Sequence, residues 1–297
     1  SGREWTTVAG APVEVAVIQG AIPQDEKWLQ SNRDTTLRLY LRLTRRAFGT
    51  PLIVWPEAAA PDLINNLGGF LAQLYEEARA HDSAIVMGAI RADDDERNFF
   101  NSVIALDDAI TWYDKHHLVP FAEFFPVPAV VRRWLRLLSL PYSDFTRGPK
   151  RQAPLRAAGL LLAASICYED AYGGAQLAAL RTATALVNVT NDAWFGRSTA
   201  RYQHLQISRM RALEAGRYLV RAANDGVSAV IDSQGRIAAR APEYRPAVLR
   251  SKVVPRIGRP PYAYVGNGLA VALSALLAAT GWWVARRKAE LFVNAEV

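Results

Sequence analysis

Residues 160–174 have the sequence LLLAASICYEDAYGG, which gives the first indication of the fold. Its first seven residues are apolar or small, which is typical of a buried strand. Cys167 then falls on a turn, and the small residues that follow predict a helix over 172–182. A thiol at the end of a strand lies near backbone N–H groups that stabilise a thiolate or an oxyanion. The stretch therefore predicts an α/β unit with a candidate reactive cysteine, for which a buried, inert cysteine is the alternative.

Patterns on both sides of this stretch alternate in the same way between strand and helix. Helical spacing of apolar residues predicts helices over 32–48, 67–80 and 200–217. Apolar, β-branched runs predict strands over 13–19, 52–55, 84–89, 185–189, 218–223 and 228–231. Residues 99–105 and 111–113 predict a hairpin with its turn near Asp107. This order indicates an α/β class with mixed strands, most simply a sandwich of sheets covered by helices.

Composition excludes several classes of protein. The chain has 297 residues, 51% hydrophobic and 21% charged, which is enough to bury a core and excludes intrinsic disorder. A single cysteine excludes a disulfide framework and any multi-cysteine metal site. The net charge is +7 and the cations are thirty arginines against five lysines. No basic block carries the interleaved aromatics of a nucleic-acid module, so we expect no nucleic-acid partner.

The C-terminal region has the pattern of a membrane span. Residues 268–285 carry no charge and as a helix would extend about 27 Å, close to the thickness of a bilayer core. Trp282 and Trp283 stand near the far end of this segment, and three cations follow the segment at once: Arg286, Arg287 and Lys288. We therefore predict a transmembrane helix over 266–285 and a cytoplasmic tail over 286–297. The alternative is a buried, alanine-rich core helix.

Residues 121–142, FAEFFPVPAVVRRWLRLLSLPY, interrupt the alternation of strands and helices. Pro128 suits a first helical turn, and beyond it Arg132, Arg133 and Arg136 share one face of a helix. This pattern is typical of a helix that lies in a membrane interface or forms a lid over an apolar cleft. An ordinary amphipathic core helix fits the same residues.

A thiol nucleophile needs a base and a group that stabilises an oxyanion. Histidine is the usual base, and none of the four histidines stands in a recognisable thiol-protease context: His81, His116, His117 and His204. Glu57 follows the strand LIVW in WPEAA, where Pro56 ends the strand. Lys115 stands out because the chain otherwise prefers arginine, which cannot replace a compact ammonium at a reacting oxygen. Taken singly, Glu57 and Lys115 also fit ordinary surface charges.

Three motifs together resemble the nitrilase, or carbon–nitrogen hydrolase, superfamily. Glu57 in WPEAA, Lys115 in YDKHHLVPFAEFFP and Cys167 in SICYED match its Glu–Lys–Cys triad. NVTNDAWFG and QHLQISRMRALEAGRYLVRAANDGVSAVID point to its bacterial apolipoprotein N-acyltransferase branch, and the resemblance covers roughly residues 5–288. It implies an αββα nitrilase-like sandwich followed by one C-terminal transmembrane helix. It also implies acyl transfer from a phospholipid, on the periplasmic side of the inner membrane, to the α-amino group of a diacylglyceryl-cysteine of a lipoprotein.

Residue roles follow from the same resemblance. Cys167 would take the acyl chain as a thioester, Glu57 would accept the thiol proton, and Lys115 would stabilise the oxyanion. Six further positions match pocket residues of the family: Glu123, Tyr168, Glu169, Trp194, Phe195 and Glu214. Glu214 equally fits a structural ion pair. The resemblance implies no cofactor and no metal, and we expect a monomer.

The resemblance also predicts the division of the chain. Residues 1–12 would be a linker from a membrane domain that precedes them in the family, and residues 13–263 the catalytic domain. Two rival functions remain: a membrane-anchored, nitrilase-like amidase that uses water as acceptor, and a non-catalytic, membrane-anchored binding module. Incubation with phospholipid distinguishes all three, because only an acyl enzyme gains mass on Cys167 and only a transferase modifies the acceptor amine.

Overall fold

Two six-stranded sheets form the centre of the computed structural model, which describes residues 4–127 and 145–293. The first sheet runs, in spatial order, β13 (Ala247–Val253), β2 (Val13–Gln19), β3 (Leu52–Val54), β4 (Ala84–Ala92), β5 (Phe99–Leu106) and β6 (Thr111–Asp114). The second runs β12 (Ile237–Arg240), β11 (Ala229–Ile231), β10 (Leu219–Ala223), β9 (Ala185–Thr190), β8 (Leu160–Ile166) and β7 (Leu155–Ala157). A separate ribbon pairs β1 (Thr6–Val8) with β14 (Arg256–Gly258).

Helices cover the outer faces of both sheets. The described α-helices are α1 (Gln24–Lys27), α2 (Arg33–Arg45), α3 (Gly68–Arg79), α4 (Ala200–Ala215), α5 (Tyr262–Val265) and α6 (Gly268–Val293). Short 3₁₀ turns lie at Gln30–Asn32, Ile64–Leu67, Cys167–Ala171, Ala179–Arg181 and Asp192–Phe195. Residues of α2 and α3 pack with one face of the first sheet, whereas residues of α4 pack with one face of the second.

The period of two along the strands explains this layering. Val15, Leu52 and Val54 point into a core between the sheets, where they meet Leu162 and Val187 of the second sheet. Their neighbours along the strands, including Ala16 and Ile53, point to the opposite face and pack with the helices. Because central strands such as β3 and β8 are buried on both faces, their residues are mostly apolar. The layers are therefore helix, sheet, sheet and helix, which confirms the predicted αββα sandwich.

The directions of the strands explain where the three predicted catalytic residues lie. Strands β2, β3 and β4 are parallel, and β6 runs with β4 because both are antiparallel to β5. In the second sheet β8, β9 and β10 are parallel. Glu57 follows β3, Lys115 follows β6 and Cys167 follows β8, so each lies just beyond the carboxyl end of its strand.

The predicted helix over 172–182 is wrong. After the 3₁₀ turn Cys167–Ala171 the chain forms irregular turns and only one further 3₁₀ turn, Ala179–Arg181. Gly173 and Gly174 stand together at its start, and each glycine costs about 1 kcal/mol in a helix relative to alanine. The other predicted strands and helices outside residues 121–142 are confirmed, whereas β1, β7, β12, β13 and β14 were not predicted. These five strands lie at sheet edges or in the small ribbon, where apolar patterning is weak.

Helix α6 confirms the predicted apolar C-terminal helix. Its first twenty residues, Gly268–Arg287, have a mean hydropathy of 1.7 and none of them is buried. Among the described residues the helix is therefore not part of a core, and by length and composition the segment fits a membrane anchor. Arg286 and Arg287 lie over the rings of Trp282 and Trp283.

The predicted amphipathic helix within residues 121–142 falls almost entirely on residues 128–144, which lie outside the described residues. Residues 121–127, which precede it, form turns.

Candidate active site

Cys167 occupies a strained position at the end of β8. Its φ of +47° is in the left-handed region, which a non-glycine residue adopts only where its surroundings impose it. The 3₁₀ turn Cys167–Ala171 begins there and turns the chain away from the sheet. The residue is half-buried at the edge of the core between the sheets, together with Tyr113. The nucleophile candidate is therefore fixed by backbone geometry at a sharp strand end, as the sequence predicts.

Glu57 is buried on the opposite sheet, at the end of β3. Its Oε1 accepts a hydrogen bond from Nδ2 of Asn101 at 2.8 Å and lies 3.6 Å from Nζ of Lys115. The turn that carries it packs against β4 so closely that a Cβ on Gly88 would lie 2.5 Å from the Cα of Glu57. Glycine at position 88 thus allows the WPEAA turn to approach the neighbouring strand.

Lys115 lies between two carboxylates and is only 1% exposed. Its Nζ donates to Oε1 of Glu123 at 2.8 Å, and its backbone N–H donates to the carbonyl of Asn101 at 2.8 Å. Burial acts to lower the pKa of Lys115, but the charges of Glu57 and Glu123 outweigh it and raise the pKa above its usual value. Lys115 is therefore a fixed cation, and the reading of Glu57 and Lys115 as surface charges is wrong.

The Cys167 thiol is held in its protonated form. Burial and the negative charge of Glu57 raise the pKa of Cys167 to about 12, although Lys115 and the Thr190 hydroxyl act in the opposite direction. At neutral pH the sulfur therefore carries its proton and needs a base in order to attack. Glu57 is the carboxylate whose charge acts most strongly on the thiol.

This arrangement can be compared with known proteins. The family model "Carbon-nitrogen hydrolase" matches residues 14–256, most of the chain. The chain belongs to the carbon-nitrogen hydrolase family.

Relatives of this carbon-nitrogen hydrolase carry a more specific name. It is 43% identical over 273 residues to the apolipoprotein N-acyltransferase of Methylococcus capsulatus, covering 92% of this chain and 54% of the relative. It is 40% identical over 297 residues to the apolipoprotein N-acyltransferase of Azotobacter vinelandii, covering 97% and 56%. The chain thus spans about half the length of these relatives. Saccharomyces cerevisiae Nit3, of the nitrilase superfamily, shares the fold with a TM-score of 0.62 and 17% identity, over 86% of this chain and 93% of Nit3.

Glu123 and Glu169 of this carbon-nitrogen hydrolase have different surroundings. Glu123 joins the triad, because its Oε1 accepts from both Lys115 and Asn101. Glu169 is buried, and its carboxylate accepts from the Tyr113 hydroxyl and from the backbone N–H groups of residues 116, 117 and 166. Glu169 therefore ties the loop after Lys115 to the strand that ends in Cys167, and its oxygens face protein donors.

Of the remaining predicted pocket residues, three are exposed and Glu214 is half-buried. Tyr168 is partly exposed and its hydroxyl accepts from Tyr172 at 3.3 Å. Trp194 and Phe195 are exposed on the turn Asp192–Phe195, with Trp194 63% exposed. Glu214 lies on α4, where its Oε2 is 2.9 Å from Arg211, so the structure places it in the ion pair. A substrate-binding role for these residues stays a prediction.

Two site residues escaped the sequence reasoning. Asn101 donates to both Glu57 and Glu123, and an asparagine inside an otherwise apolar strand was the signal for it. Lys27 is buried in α1 and its Nζ donates to the backbone carbonyl of Glu57 at 3.0 Å. Burial lowers the pKa of Lys27 to about 8, against the opposing effect of Glu57 and Cys167. The scarcity of lysine, which drew attention to Lys115, applies equally to Lys27.

Among the described residues, no group of three or more His, Cys, Asp or Glu side chains is arranged to hold a metal ion.

Proposed function

We propose that this chain is the catalytic part of an apolipoprotein N-acyltransferase, which moves a fatty acyl chain from a phospholipid to the N-terminal amine of a diacylglyceryl lipoprotein. The observation that carries the proposal is the single cysteine at a strand end, under the charges of a buried glutamate and a buried lysine. The names of the relatives and the apolar helix α6 support a lipid substrate.

In the first half-reaction, the Cys167 sulfur attacks the ester carbonyl carbon of the phospholipid. Its proton passes to the Glu57 carboxylate, and the carbonyl oxygen becomes an oxyanion that the Lys115 ammonium stabilises. The C–O bond to the glycerol oxygen then breaks, and Glu57 returns the proton to that oxygen. The products are a lysophospholipid and a thioester on Cys167.

In the second half-reaction, the neutral α-amine of the acceptor attacks the thioester carbonyl carbon. Lys115 again stabilises the oxyanion, and Glu57 accepts a proton from the attacking nitrogen. The C–S bond breaks, an amide forms, and the proton returns to sulfur. Because water would hydrolyse the thioester between the two steps, the site needs apolar walls and a cover.

Helix α6 supports the proposed membrane setting. Arg286, Arg287 and Lys288 follow its paired tryptophans, and such cations mark the cytoplasmic end of a span. The sandwich precedes the helix and would then lie on the periplasmic side of the inner membrane. The exposed rings of Trp194 and Phe195 near the site suit contact with acyl chains.

Intact mass spectrometry tests the proposal. The chain is incubated with a phospholipid of defined acyl chains, alone and with a diacylated lipopeptide. We expect an acyl mass on Cys167, and its transfer to the peptide amine. Free fatty acid with an unmodified peptide would indicate the amidase-like hydrolase instead, and no acyl mass at all would favour the binding module.

Cys167→Ala is the matched control for this experiment. The variant removes the thiol and keeps the Cβ, so we expect the fold to be retained. We expect neither thioester nor transfer. Appreciable transfer by Cys167→Ala would overturn the covalent mechanism.

A further inference from the structure

A histidine on α4 contacts the backbone of the nucleophile. His204 is buried, and its Nε2 lies 3.1 Å from the carbonyl oxygen of Cys167. Its other ring nitrogen, Nδ1, lies 2.8 Å from Oδ1 of Asp192. The edge of the Phe195 ring packs nearby, with the two ring centroids 6.4 Å apart. His204 therefore bridges a carboxylate and the peptide group that carries the reactive thiol.

Both of its partners can only accept hydrogen bonds. A backbone carbonyl has no proton to donate. Asp192 is a carboxylate, because burial acts to raise its pKa but the charge of Arg221 and the hydrogen bonds to its oxygens lower it to about 2. Its oxygens also accept from the Thr190 hydroxyl at 3.1 Å and from Arg221 at 2.8 Å. Each ring nitrogen of His204 must therefore carry a proton in order to satisfy its contact.

We propose that His204 is a doubly protonated imidazolium and a positioning residue for Cys167. It donates to the Cys167 carbonyl, holds the nucleophile in its left-handed conformation, and adds a positive charge close to the sulfur. The proposal rests on the proposed role of Cys167 as nucleophile. It assigns His204 no proton transfer with substrate, since both of its ring nitrogens face protein oxygens.

A network of buried hydrogen bonds around Asp192 fixes the contact between His204 and the Cys167 carbonyl. Arg221, fully buried, donates to Asn188 at 2.7 Å and to Ser208 at 2.8 Å, as well as to Asp192. Ser208 lies on α4 one turn after His204 and donates to Asp170 of the turn that begins with Cys167. Helix α4 is thus fixed to the nucleophile turn at two points. A charge-assisted network of this kind holds one geometry because a displaced member would leave a buried charge unpaired.

The protonation state is measured without acyl transfer. The full chain, labelled with ¹⁵N-histidine and held in detergent micelles at neutral pH, contains only four histidines. We expect the His204 ring to show a bonded proton on both nitrogens, and His204→Gln to remove that pair of signals. If the variant does not fold, substitution of the other three histidines one at a time gives the assignment by elimination. A His204 ring with one unprotonated nitrogen would overturn the proposal.

Positioning is measured by the alkylation of Cys167, the single cysteine, with iodoacetamide. We expect His204→Gln to slow alkylation about tenfold, since the thiolate loses a nearby positive charge and the turn loses its donor. His81→Gln is the control, because His81 is exposed and contacts Phe48 and Glu77 instead. An unchanged rate in a folded His204→Gln would contradict the proposal. Failure of phospholipid to acylate the wild-type chain would count only against the proposed function.

Discussion

At the scale of single residues, the site is governed by the charges that converge on one thiol. Glu57 and Glu123 contribute two carboxylates, and Lys115 and Lys27 contribute two buried amines. Lys115 is held as a cation by its two carboxylate neighbours, whereas the pKa of Lys27 falls to about 8 because burial dominates. The thiol keeps its proton because burial and Glu57 outweigh Lys115. The pKa of the Cys167 thiol and its reactivity as a nucleophile in acyl transfer are therefore two separate properties.

Glu57→Gln separates the two properties. Removal of the negative charge lowers the pKa of Cys167, so we expect alkylation by iodoacetamide at pH 9 to become about tenfold faster. The same variant lacks the base, so thioester formation from phospholipid is expected to be lost. Both rates are measured by intact mass on the same preparation. Slower alkylation in the variant would show that Glu57 does not oppose ionisation of the thiol.

Comparison with Lys27→Met measures how the contribution of the buried Lys27 amine to the free energy of unfolding changes with pH. The folded pKa of about 8 lies below the unfolded value of 10.5, so between these pH values the unfolded chain binds more protons than the folded one. Rising pH therefore stabilises the wild-type chain relative to the variant, by about 3 kcal/mol over this window.

Denaturant unfolding of both proteins in the same detergent, at pH 8 and pH 10.5, gives this difference directly. Lys252→Met is the matched control, because Lys252 is exposed on an edge strand. A free-energy difference between wild type and Lys27→Met that does not change with pH would mean that Lys27 is not titrating as a buried amine.

At the scale of elements, the site depends on how closely the strand-end turns approach their neighbours. The WPEAA turn lies against β4 at Gly88, where a Cβ would occupy the same space as the backbone of the turn. The carboxylate of Glu169 joins the β6 loop to β8, and His204 joins α4 to the Cys167 turn. Each of these contacts joins two different elements of the fold. The relative positions of Glu57, Lys115 and Cys167 therefore depend on the packing between elements.

Gly88→Ala tests the close approach of the WPEAA turn. The added Cβ would lie 2.5 Å from the Cα of Glu57 and from the carbonyl of Pro56, so the turn must shift. We expect a loss of about 1–3 kcal/mol in the free energy of unfolding, and a larger loss in thioester formation because Glu57 moves. Gly69→Ala in α3, where the added Cβ meets nothing within 4 Å, is expected to be neutral or slightly stabilising. Equal stability of the two variants would exclude the steric role of Gly88.

At the scale of the whole molecule, a sandwich that keeps its charged site buried is joined to an unburied apolar helix. The sandwich and α6 differ in where their apolar residues lie. Those of the strands face the core, whereas those of α6 are exposed. An unburied apolar helix about 30 Å long is costly in water and stable in a bilayer. This contrast is the physical basis for expecting the chain to act at a membrane surface.

Leu276→Asp with Leu277→Asp tests the anchor. Both leucines lie near the middle of Gly268–Arg287 and are 63% and 73% exposed. Each charge at the centre of a span costs about 3 kcal/mol on insertion scales, so we expect flotation with liposomes to be lost. Ile110→Asp, at an exposed hairpin loop, is the matched control and should float like the wild type. Unchanged flotation of the double variant would exclude α6 as the anchor.

Local periodicity and the length of uncharged runs in the sequence predict an α/β sandwich, most strands and helices, and the apolar helix, whereas the αββα arrangement was implied by the family resemblance. Strand ends and an unusual choice of lysine made Cys167, Glu57 and Lys115 candidates, and the resemblance to the nitrilase superfamily joined them into a triad. The sequence did not place Lys27, Asn101 or His204 beside them, since their partners lie 30 to 44 positions away along the chain. Only the tertiary structure decided those contacts, because burial and the field of nearby charges depend on which elements pack together. Gly173 and Gly174 show the same limit locally, where a helical pattern gave way to turns.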